Sequence, residues 1–180
     1  MTRAHVPMPT KLAARWFDHR TFLADRSPSA VALGARKRAE GRQVSVAIPA
    51  LNEAATIGPI CRAITRELID RAGLVDELIV LNGPSTDETA SIARANGARV
   101  VDVATLMPHV QPAPGKGDSL WKSLTVVRGD LVVWIDADIR GFESHFVTRL
   151  VAPLITDPTV DFVKGFYERP LELAGARRTP

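Results

Sequence analysis

The sequence predicts an open α/β fold, a mostly parallel sheet that is Rossmann-like in the broad sense, with helices on both faces. Three observations carry this expectation. Short β-branched apolar runs alternate with segments of helical spacing from residue 44 onward. The runs are continuously apolar, as in strands buried on both faces of a parallel sheet. A polar, Gly/Pro-containing or acidic segment follows each of the main runs, and in such sheets the segments after the strands gather on one edge.

The elements follow in order. "VSVAIPA" (44–50) reads as a buried strand closed by Pro49. In "LNEAATIGPICRAITRELIDRAG", Ile57, Ile60, Ile64 and Leu68 share a helical face, and Gly73 stops the helix. "DELIVLN" is the second strand. Ser85, Thr86 and Asp87 are candidate caps for "ETASIARANG", a short helix ended by Gly97. "ARVVDV" is the third strand, followed by a proline-punctuated loop and a helix over "KGDSLWKSLTVV" in which Leu120, Leu124 and Val127 share a face. "DLVVWID" is the fourth strand, "SHFVTRLVAPLI" a helix, and "VDFVKGFY" a fifth strand, while "LELAGARRTP" carries no strand signal. Three segments result: a basic stretch over 1–43, an α/β domain over 44–171 and a tail over 172–180.

The composition of this 180-residue chain, 46% hydrophobic and 24% charged, is that of a globular domain rather than a disordered chain. Its net charge of +3 divides unevenly. Residues 1–43 hold nine Lys/Arg against three Asp/Glu, and residues 44–180 hold fourteen against seventeen. A basic arm can bind a polyanion, but Leu12, Ala13, Trp16, Phe17 and Phe22 are interspersed here, which favours a helix docked on the body over nucleic-acid binding. The single Cys61 lies in an apolar helical pattern and reads as a buried structural thiol in a reducing compartment. No apolar run has the length of a membrane span, so no stable membrane insertion and a cytoplasmic location are expected.

The chemistry sits after the strands. Asp136 and Asp138 flank Ala137 at the end of "LVVWI", and alternate residues of an extended segment point the same way, so both carboxylates can face one ligand. Hard oxygens of this kind suit Mg²⁺ or Mn²⁺ bound together with substrate phosphates. The competing readings are an aspartate turn, a haloacid-dehalogenase-type phosphatase and a glycosidase dyad. Against the phosphatase, Arg140 stands where Thr or Val is usual, and the pair follows the fourth strand rather than the first.

"PGKGD" sets Lys116 between two glycines, where a cation can reach a phosphate; the same residues also describe a turn opening a helix. Val110 and Gly117 exclude a Walker motif, and the first strand has no G-x-G-x-x-G after it. Asn52 and Glu53 could receive a nucleobase or ribose, or Asn52 could cap the first helix. The four histidines have no metal-site spacing, and Trp121 and Trp134 lie in apolar patterns that read as core.

Taken together, "VSVAIPALNEAATI", "VDELIVLNGPSTDETASIARANGARVV", "PGKGDSLWKSL", "GDLVVWIDADI" and "VKGFYERPL" resemble GT-A-fold, family-2-like nucleotide-sugar glycosyltransferases, and more narrowly the glucosyl-3-phosphoglycerate synthases. The resemblance covers about Val44 to Leu171. It implies a UDP-glucose donor, or another nucleotide sugar, a Mg²⁺ or Mn²⁺ cofactor, 3-phosphoglycerate as a small phosphorylated acceptor, retention of anomeric configuration, and a homodimer as a further expectation. By the same resemblance, Pro49, Ala50, Leu51 and Glu53 would hold uracil and ribose. The loop at Asn82 and Gly83 would close over the nucleotide, and Lys116 would approach uracil or the phosphates. Asp136 would meet ribose or metal, and Asp138 the metal.

Two departures stand out. The family reads "DSGSTD" where this chain has "NGPSTD", so Asn82 replaces an aspartate and Pro84 a glycine. Family enzymes also continue well past "FYERPL" into an acceptor half with a glycine-rich phosphate loop and a histidine metal ligand. The chain therefore resembles the donor half, truncated before the acceptor half, and a binding module without turnover and another Mg²⁺-dependent phosphoryl enzyme are the alternative expectations.

Overall fold

The computed structural model describes residues 10–22, 27–111, 113, 115–166, 171–173 and 176–178. Four parallel strands, β1 (Val44–Ala50), β2 (Glu77–Asn82), β3 (Arg99–Asp102) and β4 (Leu131–Trp134), form one sheet in the order β3-β2-β1-β4. The chain steps outward from β1 to β3 and then returns to the opposite side of β1, which makes the C-terminal end of β1 the point where strand order reverses. The helices are α1 (Lys11–Arg20), α2 (Ala30–Ala39), α3 (Ile57–Ala63), α4 (Thr89–Ala95), α5 (Lys116–Ser123) and α6 (His145–Thr156).

The two sheet faces are covered unequally. On one face Val44, Val46, Ile48, Val80 and Val133 pack with Ile57, Ile60, Ile64 and Leu68, with Leu33 of α2 and with Val147 and Val151 of α6. On the other, Ala47, Ile79, Leu81 and Val103 form a small cluster with Val126, Val127 and Val132, under α5 and the turn that follows it. Cys61 is buried in the larger core, and desolvation pushes its thiol up to about 12, so it stays protonated.

α3 begins at Ile57, with Thr56 rather than Asn52 at its N-cap, and continues as a π-helix over Ile64–Arg71. Gly73 ends it in the left-handed region, φ 57°, where a β-carbon would also come within 2.4 Å of the Arg38 guanidinium. That contact belongs to α2, an element with little apolar periodicity that the sequence reading passed over. Ser29 caps α2 by accepting from the Ala32 N–H at 3.2 Å. Its Lys37 is buried in an ion pair with Asp76, whose other contact is the Val44 N–H at 2.7 Å.

Several expectations are corrected. Residues 161–166 are not a fifth strand: they make no ladder among the described residues, and Phe162 and Phe166 are 75% and 68% exposed. β-propensity alone does not make a strand that has no ladder partner. Conversely, the tail does pair, with β5 (Leu171–Leu173) antiparallel to β6 (Ala176–Arg178). α5 stops at Ser123, leaving Leu124 exposed. Trp121 and Trp134 are 49% and 37% exposed rather than core, because β4 is an edge strand and its Trp134 points to the thinly covered face. Trp134 Nε1 donates to Ser123 Oγ at 3.0 Å. α1 forms as expected, but Leu12, Trp16 and Phe17 remain half or more exposed; Phe17 stacks against Phe166 with ring centroids 5.8 Å apart.

At the N-terminal edge of the sheet one carboxylate ties the strands together. Glu77 of β2 accepts from Ser45 of β1 at 2.8 Å, from Arg99 of β3 at 2.6 Å, and from the Arg128 N–H ahead of β4 at 3.0 Å. Burial pushes its carboxyl up, but the hydrogen bonds from Arg99, Ser45 and Arg128 outweigh this and hold it below the ordinary range.

Two outcomes are expected. Gly34→Ala, which on an open helix would stabilise, places a β-carbon 2.3 Å from the Ala72 carbonyl oxygen and should cost about 1–3 kcal/mol in urea unfolding. Glu77→Gln should cost about 2 kcal/mol at neutral pH. Because the folded carboxyl is depressed, its contribution is complete above the unfolded glutamate value of about 4.3 and is lost as pH falls through the folded one. The gap between the two urea midpoints should therefore close in acid.

Candidate functional site

The C-terminal ends of β1, β2 and β4 and the first turns of α5 surround a cleft of about 650 Å³. β1 contributes Pro49 and Ala50, and the chain then turns through Leu51, Asn52 and Glu53. Asn52 lies in the left-handed region at φ 56°, a conformation its short polar side chain tolerates. β2 contributes Gly83, whose N–H donates to the Ala50 carbonyl at 2.8 Å. After β4, Ile135 and Ala137 turn into the core while Asp136 and Asp138 face outward onto the cleft. Although Ala137 and Asp138 already lie in a turn, both carboxylates line the same cleft.

The loops after β1 and β2 are stapled to each other. Asn52 N–H donates to Ser85 Oγ at 3.1 Å, and Asn52 Oδ1 accepts from the Thr86 N–H at 2.8 Å. Glu53 N–H donates to the buried Thr89 Oγ1 at 2.7 Å. Asp87 accepts from the Ala54 N–H at 3.1 Å and from the Thr89 N–H at 3.0 Å. The Thr89 hydroxyl bond, with the Thr89 and Ala54 amides, holds the Asp87 carboxyl below the usual range against a desolvation cost. Asp87 alone serves the first turn of α4; Ser85 and Thr86, expected as caps, bond to Asn52 instead.

α5 opens at Gly115, φ +94°, and sends two lysines to the cleft. Lys116 is ion-paired with Asp136 across the opening, both side chains being about half exposed. Lys122 lies in the wall, its side chain 3% exposed, 2.9 Å from Asp118, itself 9% exposed. Asp118 also accepts from the Ala113 N–H at 3.3 Å. The Lys122 bond, the Ala113 amide and the nearby ammonium charge hold the Asp118 carboxyl low despite desolvation. Asp138 has no hydrogen-bond or ion-pair partner among the described residues, which also contain no cluster of three or more His, Cys, Asp or Glu. Two outward carboxylates suit a hard cation that completes its shell with water and phosphate oxygens.

Of the residues singled out from the sequence, Pro49, Ala50, Leu51, Glu53, Gly83, Lys116, Asp136 and Asp138 line this one cleft. Asn82 does not. It lies in register with Ala50 and Asp102, and its carboxamide oxygen is buried with no hydrogen-bond partner among the described residues. The reading missed Val103 and Ala104 after β3, and Asp118, Ser119 and Lys122 on α5. Opposite charges at i and i+4 in "DSLWK" were the available signal for the buried pair. Tyr167, Glu168, Arg169 and Pro170 of "FYERPL", and Pro114 of "PGKGD", lie outside the described residues.

The reversal of strand order beneath an acidic pair and a stapled loop pair defines an open α/β domain of the GT-A class. Residues 45–179 match glycosyl transferase family 2, and the chain belongs to that family. It is 48% identical over 136 residues to glucosyl-3-phosphoglycerate synthase of Mycolicibacterium smegmatis, covering 76% of this chain and 44% of that protein. The Petrotoga mobilis synthase is 40% identical over 135 residues, covering 75% and 42%. Among solved structures, mannosyl-3-phosphoglycerate synthase from Rubrobacter xylanophilus superposes with a TM-score of 0.82 at 40% identity, covering 87% of this chain and 50% of that one. Glucosyl-3-phosphoglycerate synthase from Mycobacterium tuberculosis, solved in complex with Mn²⁺, UDP and phosphoglyceric acid, gives 0.64 at 47% identity over 71% and 43%. The chain thus spans less than half the length of these curated relatives.

Asp87→Ala removes the acceptor shared by Ala54 and Thr89. Amide exchange at 52–54 and 85–89 is expected to accelerate by about tenfold, the scale of one lost charged hydrogen bond, with the interiors of β1 and β2 unchanged.

Proposed function

We propose that this chain is the nucleotide-sugar-binding part of a retaining glycosyltransferase that moves glucose from UDP-glucose to 3-phosphoglycerate with Mg²⁺ or Mn²⁺. One observation carries the reading: a single cleft gathers Pro49, Ala50, Leu51, Glu53, Lys116, Asp136 and Asp138 within the segment that matches the synthases at 40–48% identity. Pro49, Ala50, Leu51 and Glu53 offer an apolar wall and a carboxylate for uracil and ribose. Gly83, with Asn82 beneath it, brings backbone close to the nucleotide without a side chain. Asp138 and Asp136 would hold the cation, and Lys116, now paired with Asp136, can turn its ammonium to a phosphate oxygen. A bound divalent cation supplies stabilisation of the charge that grows on the departing diphosphate.

The substrates carry phosphate and do not cross membranes unaided, and no described helix is long and apolar enough to span one; on this reading the protein works in the cytoplasm. The coverage of under half of each curated relative makes donor binding without turnover the second reading.

Calorimetric titration of UDP-glucose into the chain with Mn²⁺, then with EDTA, tests the donor site. Binding is expected to require metal and to weaken at least tenfold in Asp138→Ala; a folded chain that binds nothing refutes the reading. The superposition on a mannosyltransferase makes a mannose nucleotide the competitor to run beside it. Release of UDP that depends on 3-phosphoglycerate separates a transferase from a binding module.

A further inference from the structure

Beneath Lys116, the wall of the cleft contains a buried ion pair that neither the motif reading nor the proposed chemistry uses. Asp118 Oδ2 meets Lys122 Nζ at 2.9 Å, and Asp118 Oδ1 accepts from the Ala113 N–H at 3.3 Å. One carboxylate thus ties the backbone ahead of α5 to a side chain one turn further along it. Gly115 and Gly117, which flank Lys116, have open space where a β-carbon would be. Lys116 thus stands between two glycines that no described atom packs against, and the described contact of its own side chain is the pair with Asp136. A buried ion pair gains little stability over an apolar pair of the same volume, which leaves geometry as its contribution.

We infer that Asp118 and Lys122 are positioning residues that hold Lys116 opposite Asp136, where a nucleoside diphosphate would be received. This rests on the proposed donor site, but the pairing of Lys116 with Asp136 exists without any ligand and can be read alone. Asp118 is bonded on both sides of Lys116 in sequence, to the Ala113 N–H and to Lys122. Without the carboxylate, Lys116 stands between two glycines with no other side-chain anchor among the described residues ahead of α5.

The test compares wild type, Asp118→Asn and the double variant Asp118→Leu/Lys122→Met, which fills the wall with apolar groups. Urea unfolding should show the single variant destabilised and the double restored to near the wild-type midpoint. In the ligand-free chain, acylation of Lys116, followed by mass spectrometry, should nevertheless run several-fold faster in the double variant than in wild type. With Mn²⁺ present, UDP should bind the double variant roughly tenfold more weakly, the scale of one charged hydrogen bond. Lys116→Met should then cost affinity in wild type and almost none in the double variant, a coupling that a purely structural pair would not produce. Wild-type Lys116 reactivity in the restored double variant overturns the inference. So does an equal cost of Lys116→Met in both backgrounds. Absence of UDP binding to wild type would refute the donor site instead, and leave the reactivity comparison to decide the positioning role.

Discussion

The Glu77 carboxylate is the constraint on which the rest of the sheet depends. It belongs to β2, receives Ser45 from β1 and Arg99 from β3, and takes the backbone N–H of Arg128 just before β4. A parallel sheet has no hairpins to set its register, so something at one edge has to. Here one part-buried acceptor links all four strands at the N-terminal edge, and the consequence appears at the opposite one. Since β1 pairs with β2 and β4 in fixed register, Ala50, Asn82 and the segment after Trp134 emerge together, and the cleft follows from that alignment.

The site is built largely from backbone held by side chains that are themselves engaged in hydrogen bonds or ion pairs. Asn52, Ser85, Asp87 and Thr89 fix the loops after β1 and β2, as Asp118 and Lys122 do for the approach to α5. Among the described residues the groups left to meet a ligand are few: the carboxylates of Asp138 and Glu53, the exchangeable pair of Lys116 with Asp136, and the apolar wall at Pro49 to Leu51. That division suits a ligand with one flat face and one strongly charged end, which is the chemistry of the proposed nucleotide sugar.

The four strands and the common edge were legible because continuous apolar runs and the segments after them are local signals. Asp136, Asp138, Lys116 and the Pro49–Glu53 turn could be named on that basis alone. What escaped depends on distant partners. α2 docks through Gly34 and the buried Lys37, which are unremarkable on a helical wheel until Ala72 and Asp76 arrive. The run at 160–166 has strand propensity but pairs with no strand among the described residues, while the weaker run after it pairs with itself. Trp121 and Trp134 looked like core because an apolar pattern does not say how many layers cover each face. Asn82 was named for its place after β2, and only the register shows its amide turned beneath the rim.

That uneven cover has a further consequence. α3, α4 and α6 lie over a deep apolar core, whereas α5 shields a small cluster and leaves Trp121 and Leu124 in solvent. Of the helices packed on the sheet, α5 has the thinnest apolar cover, and it forms the wall of the cleft. A molecule bridging α5 to the carboxylates after β4 adds its binding free energy to that thinly covered layer, so occupancy and local folding of α5 become a single linked equilibrium.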